Sequence, residues 1–138
     1  MRILHILAIA LVFVSCKESK QEEVPSSVTV VTVEEMQTLL ANGELQLVDV
    51  RTPEEFEEGH VMNAINIDYK GAAFEKEIEA LDKTKPVMVY CRSGRRSAKG
   101  CEVLKSQGFT EIYDLNGGIL QWQKEGKLIY TPDDIMLE

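Results

Sequence analysis

The sequence predicts an α/β domain: a five-stranded parallel sheet with helices on both faces. Strand-like apolar runs alternate with helix signatures along the chain, the order that a parallel sheet with crossover helices requires. The run 45–50 is largely apolar rather than alternating, as expected of a strand covered on both faces. The run 86–90 ends in Cys91 and passes through a short glycine-containing turn into a helical pattern. Ligands of such sheets sit outside the carboxyl ends of strands, which is where Cys91 falls.

Each element has a local reason. Val28-Thr29-Val30-Val31 is the first strand. Thr32 is the expected N-cap of a helix to about Ala41, with Glu35 as its capping-box partner and Gly43 beyond its end. Residues 45–50 form the second strand. Thr52-Pro53-Glu54-Glu55 opens a short helix, with proline in a tolerated first-turn position and acids at the positive end. Residues 65–67 are a short third strand and 72–81 a helix. Residues 87–90 form the fourth strand, followed by a helix over 95–107 that ends at Gly108. Residues 111–114 are the fifth strand, and 118–125 the last helix, entered through the tight turn Gly117-Gly118.

The 138 residues, 44% hydrophobic and 28% charged, suit one ordinary globular domain, expected over 27–131 with a tail at 132–138. Ahead of it, Met1-Arg2 and the apolar run 3–14 read as a signal peptide over 1–15, because twelve such residues are too few to span a bilayer. Phe13-Val14-Ser15-Cys16 resembles a bacterial lipoprotein processing site, with Phe13 where such sites usually carry Leu. That resemblance implies lipidation of Cys16 and a protein exported from a bacterial cytoplasm to the periplasm or cell surface, membrane-anchored through its lipid. Polar residues 16–26 would be the flexible tether. Without residues 1–15 the chain has 14 basic and 23 acidic residues, a net charge of −9, which disfavours nucleic acid as a partner.

Against this acidity, residues 83–101 carry six basic side chains and no acid. Cys91-Arg92-Ser93-Gly94-Arg95-Arg96 lies in that stretch, with loop N–H groups and a helix N-terminus close by. Such surroundings favour the thiolate, the nucleophilic form of cysteine. Cys91 is the expected catalytic nucleophile, and Arg92, Ser93, Gly94, Arg95 and Arg96 the expected substrate-binding residues. Arg92 and Arg95 would guide an anion at the mouth. Arg96 would brace the loop, with Asp49 as its counter-ion, and Asp49 and Arg51 would serve as supporting polar groups. Gly94 stands where positive φ or close backbone approach is needed.

Cys101, some three turns along the following helix, would lie about 10–15 Å from Cys91, beyond disulfide reach. It reads as a small buried residue facing the sheet. His60 reads as a packed histidine bonded to a turn, Trp122 as core. Only two histidines occur, one in the leader, so no metal constellation is expected, and no cofactor.

The loop resembles that of the rhodanese family, whose six residues from a catalytic cysteine suit a sulfur atom carried on it. Leu47-Val48-Asp49-Val50-Arg51, Glu55-Phe56, Gly59-His60-Val61 and Ala64-Ile65-Asn66-Ile67 resemble the family's N-terminal pattern. Leu115-Asn116-Gly117-Gly118-Ile119 with Trp122 resembles its C-terminal one. Asn63 departs from the usual glycine, and Cys101 from a usual alanine. The resemblance implies a rhodanese-like fold and a thiosulfate-type sulfurtransferase. A Cys91 persulfide would be loaded by a small anionic donor and discharged to cyanide or a thiol acceptor. The alternative is a persulfide-carrying or partner-binding module with little turnover of small donors. Phosphatase loops insert one more residue before their arginine, so phosphate and arsenate chemistry are disfavoured.

Overall fold

A computed structural model of the chain describes residues 25–135, so the expected leader and Cys16 lie outside the described residues. Five strands form one sheet: β1 (Ser27–Val31), β2 (Gln46–Asp49), β3 (Ile65–Asn66), β4 (Val87–Tyr90) and β5 (Glu111–Leu115). Their spatial order is β1-β5-β4-β2-β3, and every pairing is parallel. The connecting helices are α1 (Val33–Ala41), α2 (Pro53–Glu57), α3 (Phe74–Glu79), α4 (Arg95–Ser106), α5 (Gly118–Lys124) and α6 (Pro132–Ile135). This is the α/β fold expected, with β4 at the centre of the sheet.

Side-chain alternation along the strands divides the core in two. Val87, Val89 and Cys91 point to one face, where they meet Phe74 and Ile78 of α3 and Cys101 and Leu104 of α4. Met88 and Tyr90 point to the other face, among Val33 and Met36 of α1 and Ile119 and Trp122 of α5. All four residues of β4 are buried, which explains the lack of polar alternation in its sequence.

The Thr32 capping box forms as expected, and Thr52, expected only at the start of a short helix, forms a second one. Thr32 accepts the Glu35 N–H at 3.2 Å while the Glu35 carboxylate accepts the Thr32 N–H at 2.8 Å, and Thr52 and Glu55 make the same reciprocal pair. The helix expected over 72–81 is shorter, Phe74–Glu79. Its N-cap, Ala73, has no side chain to hold a free N–H, and a turn in which Phe74 N–H donates to Gly71 O occupies the approach. A single helical turn, α6, forms within the stretch expected as a tail. The Asp134 carboxylate accepts both the N–H and the hydroxyl of Thr131 there, at 2.7 and 2.8 Å. Just before it, Tyr130 and His60 exchange backbone hydrogen bonds at 2.8 and 2.9 Å, which ties the end of the domain to the segment after α2.

At the end of β2 lies a buried ion pair. Arg51 Nη2 donates to Asp49 Oδ2 at 2.7 Å and Arg51 Nε to both carboxylate oxygens at 3.0 Å, while the Arg51 N–H adds a bond to Oδ1 at 2.9 Å. A second Nη2 bond, to Gly59 O at 2.7 Å, extends the pair to the turn after α2. Asp49 is fully buried, so removing its partner strands a charge in the core. Arg51→Met should therefore lower unfolding free energy by about 3–5 kcal/mol, read as a fall in the denaturant midpoint. A loss below about 1 kcal/mol would show that Asp49 is neutralised or solvated without Arg51.

Candidate functional site

The site forms where the central strand stops. After Tyr90 the chain leaves the sheet at Cys91, turns through Ser93 and Gly94, and enters α4 at Arg95. Gly94 has φ +101°, a left-handed conformation that L side chains rarely adopt, and its N–H donates to Cys91 Sγ at 3.1 Å. Burial, the largest influence on the Cys91 thiol, pushes it up. Hydrogen bonds from the Ser97 hydroxyl and from the N–H groups of Ser97, Gly94 and Ser93 outweigh it and hold the thiol below its ordinary value. Cys91 is 1% exposed, so it sits at the floor of the loop rather than at its rim.

The Gly117-Gly118 turn fixes the loop from the opposite side. Ile119 N–H donates to Cys91 O at 2.9 Å and Leu120 N–H to Arg92 O at 3.2 Å. The N-terminus of α5 thus holds the loop's first two carbonyls. Gly118 has φ +60°, and a Cβ there would stand 2.5 Å from Cys91 O and 2.6 Å from Arg92 O. Only glycine permits that approach. Its position in the turn was legible in the sequence; its contact with the Cys91 loop was not.

The expected residues sort into three groups. Arg92, Ser93 and Arg95 are exposed at the mouth and Gly94 is half-buried. Arg96 is also half-buried, but the expected Asp49–Arg96 pairing does not form, because Arg51 takes the Asp49 carboxylate. Arg96 instead forks onto Glu55 of α2, Nη1 to Oε2 at 2.6 Å and Nη2 to Oε1 at 2.8 Å. The β2–β4 pairing makes this possible by placing α2 beside the start of α4. Glu55 therefore caps α2 and braces the Cys91 loop with one carboxylate. The Arg96 guanidinium is the main cause that holds Glu55 at about 2.

Tyr90 lies beneath the site. Its ring faces the Arg51 guanidinium at 5.9 Å, and its hydroxyl accepts the Val61 N–H at 3.1 Å. Burial, then the Asp49 charge, raises its phenol and keeps it neutral. His60 is packed as expected, stacked on Phe56 with ring centroids 3.7 Å apart and its Nδ1 3.0 Å from Phe56 O. Cys101 is fully buried on α4 and is a free thiol, as is Cys91. Burial, followed by the charge of Asp114, pushes Cys101 up to about 12.

A cleft of about 190 Å³ opens beside the loop, walled by Arg92, Glu58, Ile119, Leu120 and Gln123. A larger groove of about 740 Å³, lined by Leu47, Met62 and Trp122 among others, contains no cysteine. Two residues important to the geometry were missed as partners. Ser97 follows the loop in sequence but carried no assigned role, and Glu55 was a first-turn acid and part of the family pattern with no partner assigned. A serine one turn into a helix after a reactive cysteine is a signal for the first. Only the strand order supplies the second.

Fold and loop together define an α/β domain built around a buried cysteine whose sulfur is surrounded by hydrogen-bond donors. The chain belongs to the rhodanese family: the model of the rhodanese-like domain matches residues 32–125. Thiosulfate sulfurtransferase 16, chloroplastic, of Arabidopsis thaliana is 36% identical over 118 residues, covering 78% of this chain and 95% of the relative. A sulfurtransferase of Allochromatium vinosum is 33% identical over 97 residues, 70% of this chain and 89% of the relative. Protein YqhL of Bacillus subtilis is 43% identical over 77 residues, which span 60% of its length. Among solved structures, a rhodanese-related protein from Thermoplasma volcanium superposes with a TM-score of 0.66 at 28% identity, over 74% of this chain and 97% of that one.

The Arg96–Glu55 brace makes a pH-dependent prediction. Its carboxylate is depressed in the folded state, so its stabilisation is present above the ordinary value of 4.5 and is lost as pH falls toward about 2. Glu55→Gln keeps a capping acceptor but removes the charge. It should cost about 1 kcal/mol at neutral pH, a modest figure because both side chains are partly solvated. The variant should also flatten the loss of stability between pH 4.5 and 2, measured by denaturant melts across that range. An unchanged acid limb would place the acid sensitivity elsewhere.

Proposed function

We propose that this protein is a sulfurtransferase that moves sulfane sulfur through a Cys91 persulfide. The observation that carries this reading is the setting of Cys91 Sγ at the floor of the loop, where the Gly94 N–H donates to it at 3.1 Å and the nearby Ser93 and Ser97 help hold the thiol below its ordinary value. These groups stabilise negative charge on sulfur and are fixed before any donor arrives, so no reorganisation is needed when charge develops. The names of two relatives support the same chemistry, one being a sulfurtransferase and the other a thiosulfate sulfurtransferase.

With thiosulfate as donor, the Cys91 thiolate attacks the outer sulfur. The bond between the two donor sulfurs breaks, its electron pair leaves with sulfite, and Cys91 carries a persulfide anion. Cyanide or a thiolate acceptor then attacks the terminal sulfur, and the electron pair of the breaking S–S bond returns to Cys91 as thiolate. Two successive displacements on one nucleophile give ping-pong kinetics. Arg92 and Arg95, exposed at the mouth, attract the divalent donor, while Arg96 is engaged by Glu55 and supports the loop.

The deciding experiment is mass spectrometry of the protein after incubation with thiosulfate. The expected product carries one added sulfur atom on Cys91, removed by cyanide with release of thiocyanate. Cys91→Ser should abolish turnover, and Cys101→Ser should leave most of it. Full activity in Cys91→Ser sinks the mechanism. A stable adduct without multiple turnovers with small acceptors would instead favour a sulfur-delivery module.

We also propose attachment to a membrane through a lipid on Cys16, supported by the apolar run ahead of it and the polar tether behind it. Cys16→Ser should move the protein from membrane to soluble fractions. Multiple acyl chains hold a protein stably where a single chain is marginal. A variant that still resists salt and carbonate washes would rule the lipid anchor out.

A further inference from the structure

The cleft of about 190 Å³ beside the loop is lined by four charged residues, and two of them are already paired. Arg51 is engaged by Asp49 and Glu55 by Arg96. Arg92 and Glu58 are exposed and form no ion pair among the described residues, with each other or with a third group. The cleft thus keeps one free cation and one free carboxylate. It is also lined by Ile119, 3% exposed, and Leu120, 42% exposed, whose N–H groups hold the carbonyls of Cys91 and Arg92. It therefore abuts the loop that begins at the reactive sulfur. Its volume equals about six waters' share of the liquid, room for one small amino acid. Arg92 suits an anionic donor, and Glu58 does not. A carboxylate in this cleft repels a divalent anion such as thiosulfate. A ping-pong reaction, however, brings two substrates to one site in turn, so a group that opposes the first can serve the second.

We infer that Arg92 and Glu58 form a subsite for the sulfur acceptor, selecting a thiol of amino-acid size that bears both a carboxylate and an ammonium group. Arg92 takes the carboxylate, Glu58 takes the ammonium, and the carbon chain lies against Ile119 and Leu120. Arg92 is free for this second role once sulfite has left. The acceptor thiol, having lost its proton to solvent, attacks the terminal sulfur of the Cys91 persulfide. A new S–S bond forms, the bond within the Cys91 persulfide breaks, and its electron pair returns to Cys91 as thiolate. The product is the persulfide of the acceptor. Glu58 therefore determines specificity in the second half-reaction at some cost to the first.

The inference rests on the proposed persulfide chemistry, so one arm of its test dispenses with sulfur transfer. In the first arm, loading by thiosulfate and discharge to a thiol are timed separately by mass spectrometry of the Cys91 adduct. Glu58→Gln should load about twofold to fivefold faster and discharge to L-cysteine more slowly by a similar factor, the worth of one solvent-exposed charge contact. Discharge to β-mercaptopropionate, which lacks the ammonium group, should not slow. A merely structural Glu58 would move loading and both discharges in the same direction. An unchanged ratio of L-cysteine to β-mercaptopropionate discharge in Glu58→Gln overturns the inference. The second arm uses S-methyl-L-cysteine, which has both charges but no free thiol. It should slow iodoacetamide alkylation of Cys91 saturably in the parent, and Glu58→Gln should weaken that protection. The analogue without the ammonium, β-methylthiopropionate, should protect the parent less. If Glu58→Gln does not fold, equal protection of the parent by both compounds, or none by either, overturns the inference. Protection that needs Glu58, with no sulfur adduct after thiosulfate, would count against the proposed function while the charge-selective subsite stands.

Discussion

Holding negative charge on a sulfur that is 1% exposed is the constraint from which the local architecture follows. Burial alone pushes a thiol up, so donors must be in place around it. A strand cannot supply them, because its N–H groups are committed to the ladder. The chain must therefore leave the sheet at Cys91 and turn sharply enough to bring the next N–H groups back over the sulfur. Gly94, at φ +101°, allows that turn, and the first turn of α4 completes the ring of donors with Ser97. The first two carbonyls of the loop point to the other side, where they accept N–H groups at the N-terminus of α5. Gly118 lets the two backbones come this close, so the two glycine-containing turns serve one geometry from opposite sides.

Charge is arranged by depth around this centre. Asp49 and Arg51 neutralise each other in the core at the end of β2 and anchor the turn at Gly59. Glu55 and Arg96 form the second pair, half-buried, with α2 on one side and the start of α4 on the other. The first pair is local, two residues apart, while the second joins segments that the sheet order makes neighbours and braces the start of α4. Arg92 and Arg95 have no such bond among the described residues and stay exposed at the mouth. The exposed positive charge at the mouth is therefore carried by the arginines that form no ion pair among the described residues. The surrounding chain has a formal charge of −8, so this mouth is a local exception to the body's charge.

The sequence reveals best what depends on neighbouring residues. The strands, the Thr32 cap, the positive φ at Gly94 and the packed His60 all follow from local pattern, and all occur. Partner choice is different. Asp49 and Glu55 are both acids near the end of β2, and either is a reasonable counter-ion for Arg96 on position alone. What decides between them is that Arg51, two residues from Asp49, folds back onto it with four hydrogen bonds. Local geometry claims the nearer acid first, and Arg96 receives the other. The short α3 has a similar cause: its apolar spacing was visible, but its start is set by an alanine that cannot cap. The contacts of Gly118 with the Cys91 loop depend on β5 lying beside β4, a pairing between segments more than twenty residues apart.

Cys91 and Cys101 show how one core holds two thiols in different states. Both belong to the same apolar cluster, both are free thiols and neither reaches solvent appreciably. Depth does not separate them, yet one is held below its ordinary value and the other is pushed up to about 12. Cys101 sits within a helix whose N–H groups are used in the helix itself, and its charged neighbour is the acid Asp114. Cys91 sits where a strand has ended and a helix has just begun, so the first N–H groups of that helix have no partner within it. An identical side chain in the same core differs in acidity because of the backbone around it. The junction between β4 and α4 accordingly matters more than the three arginines that first draw attention to it: they affect what approaches the sulfur, and the junction determines its state.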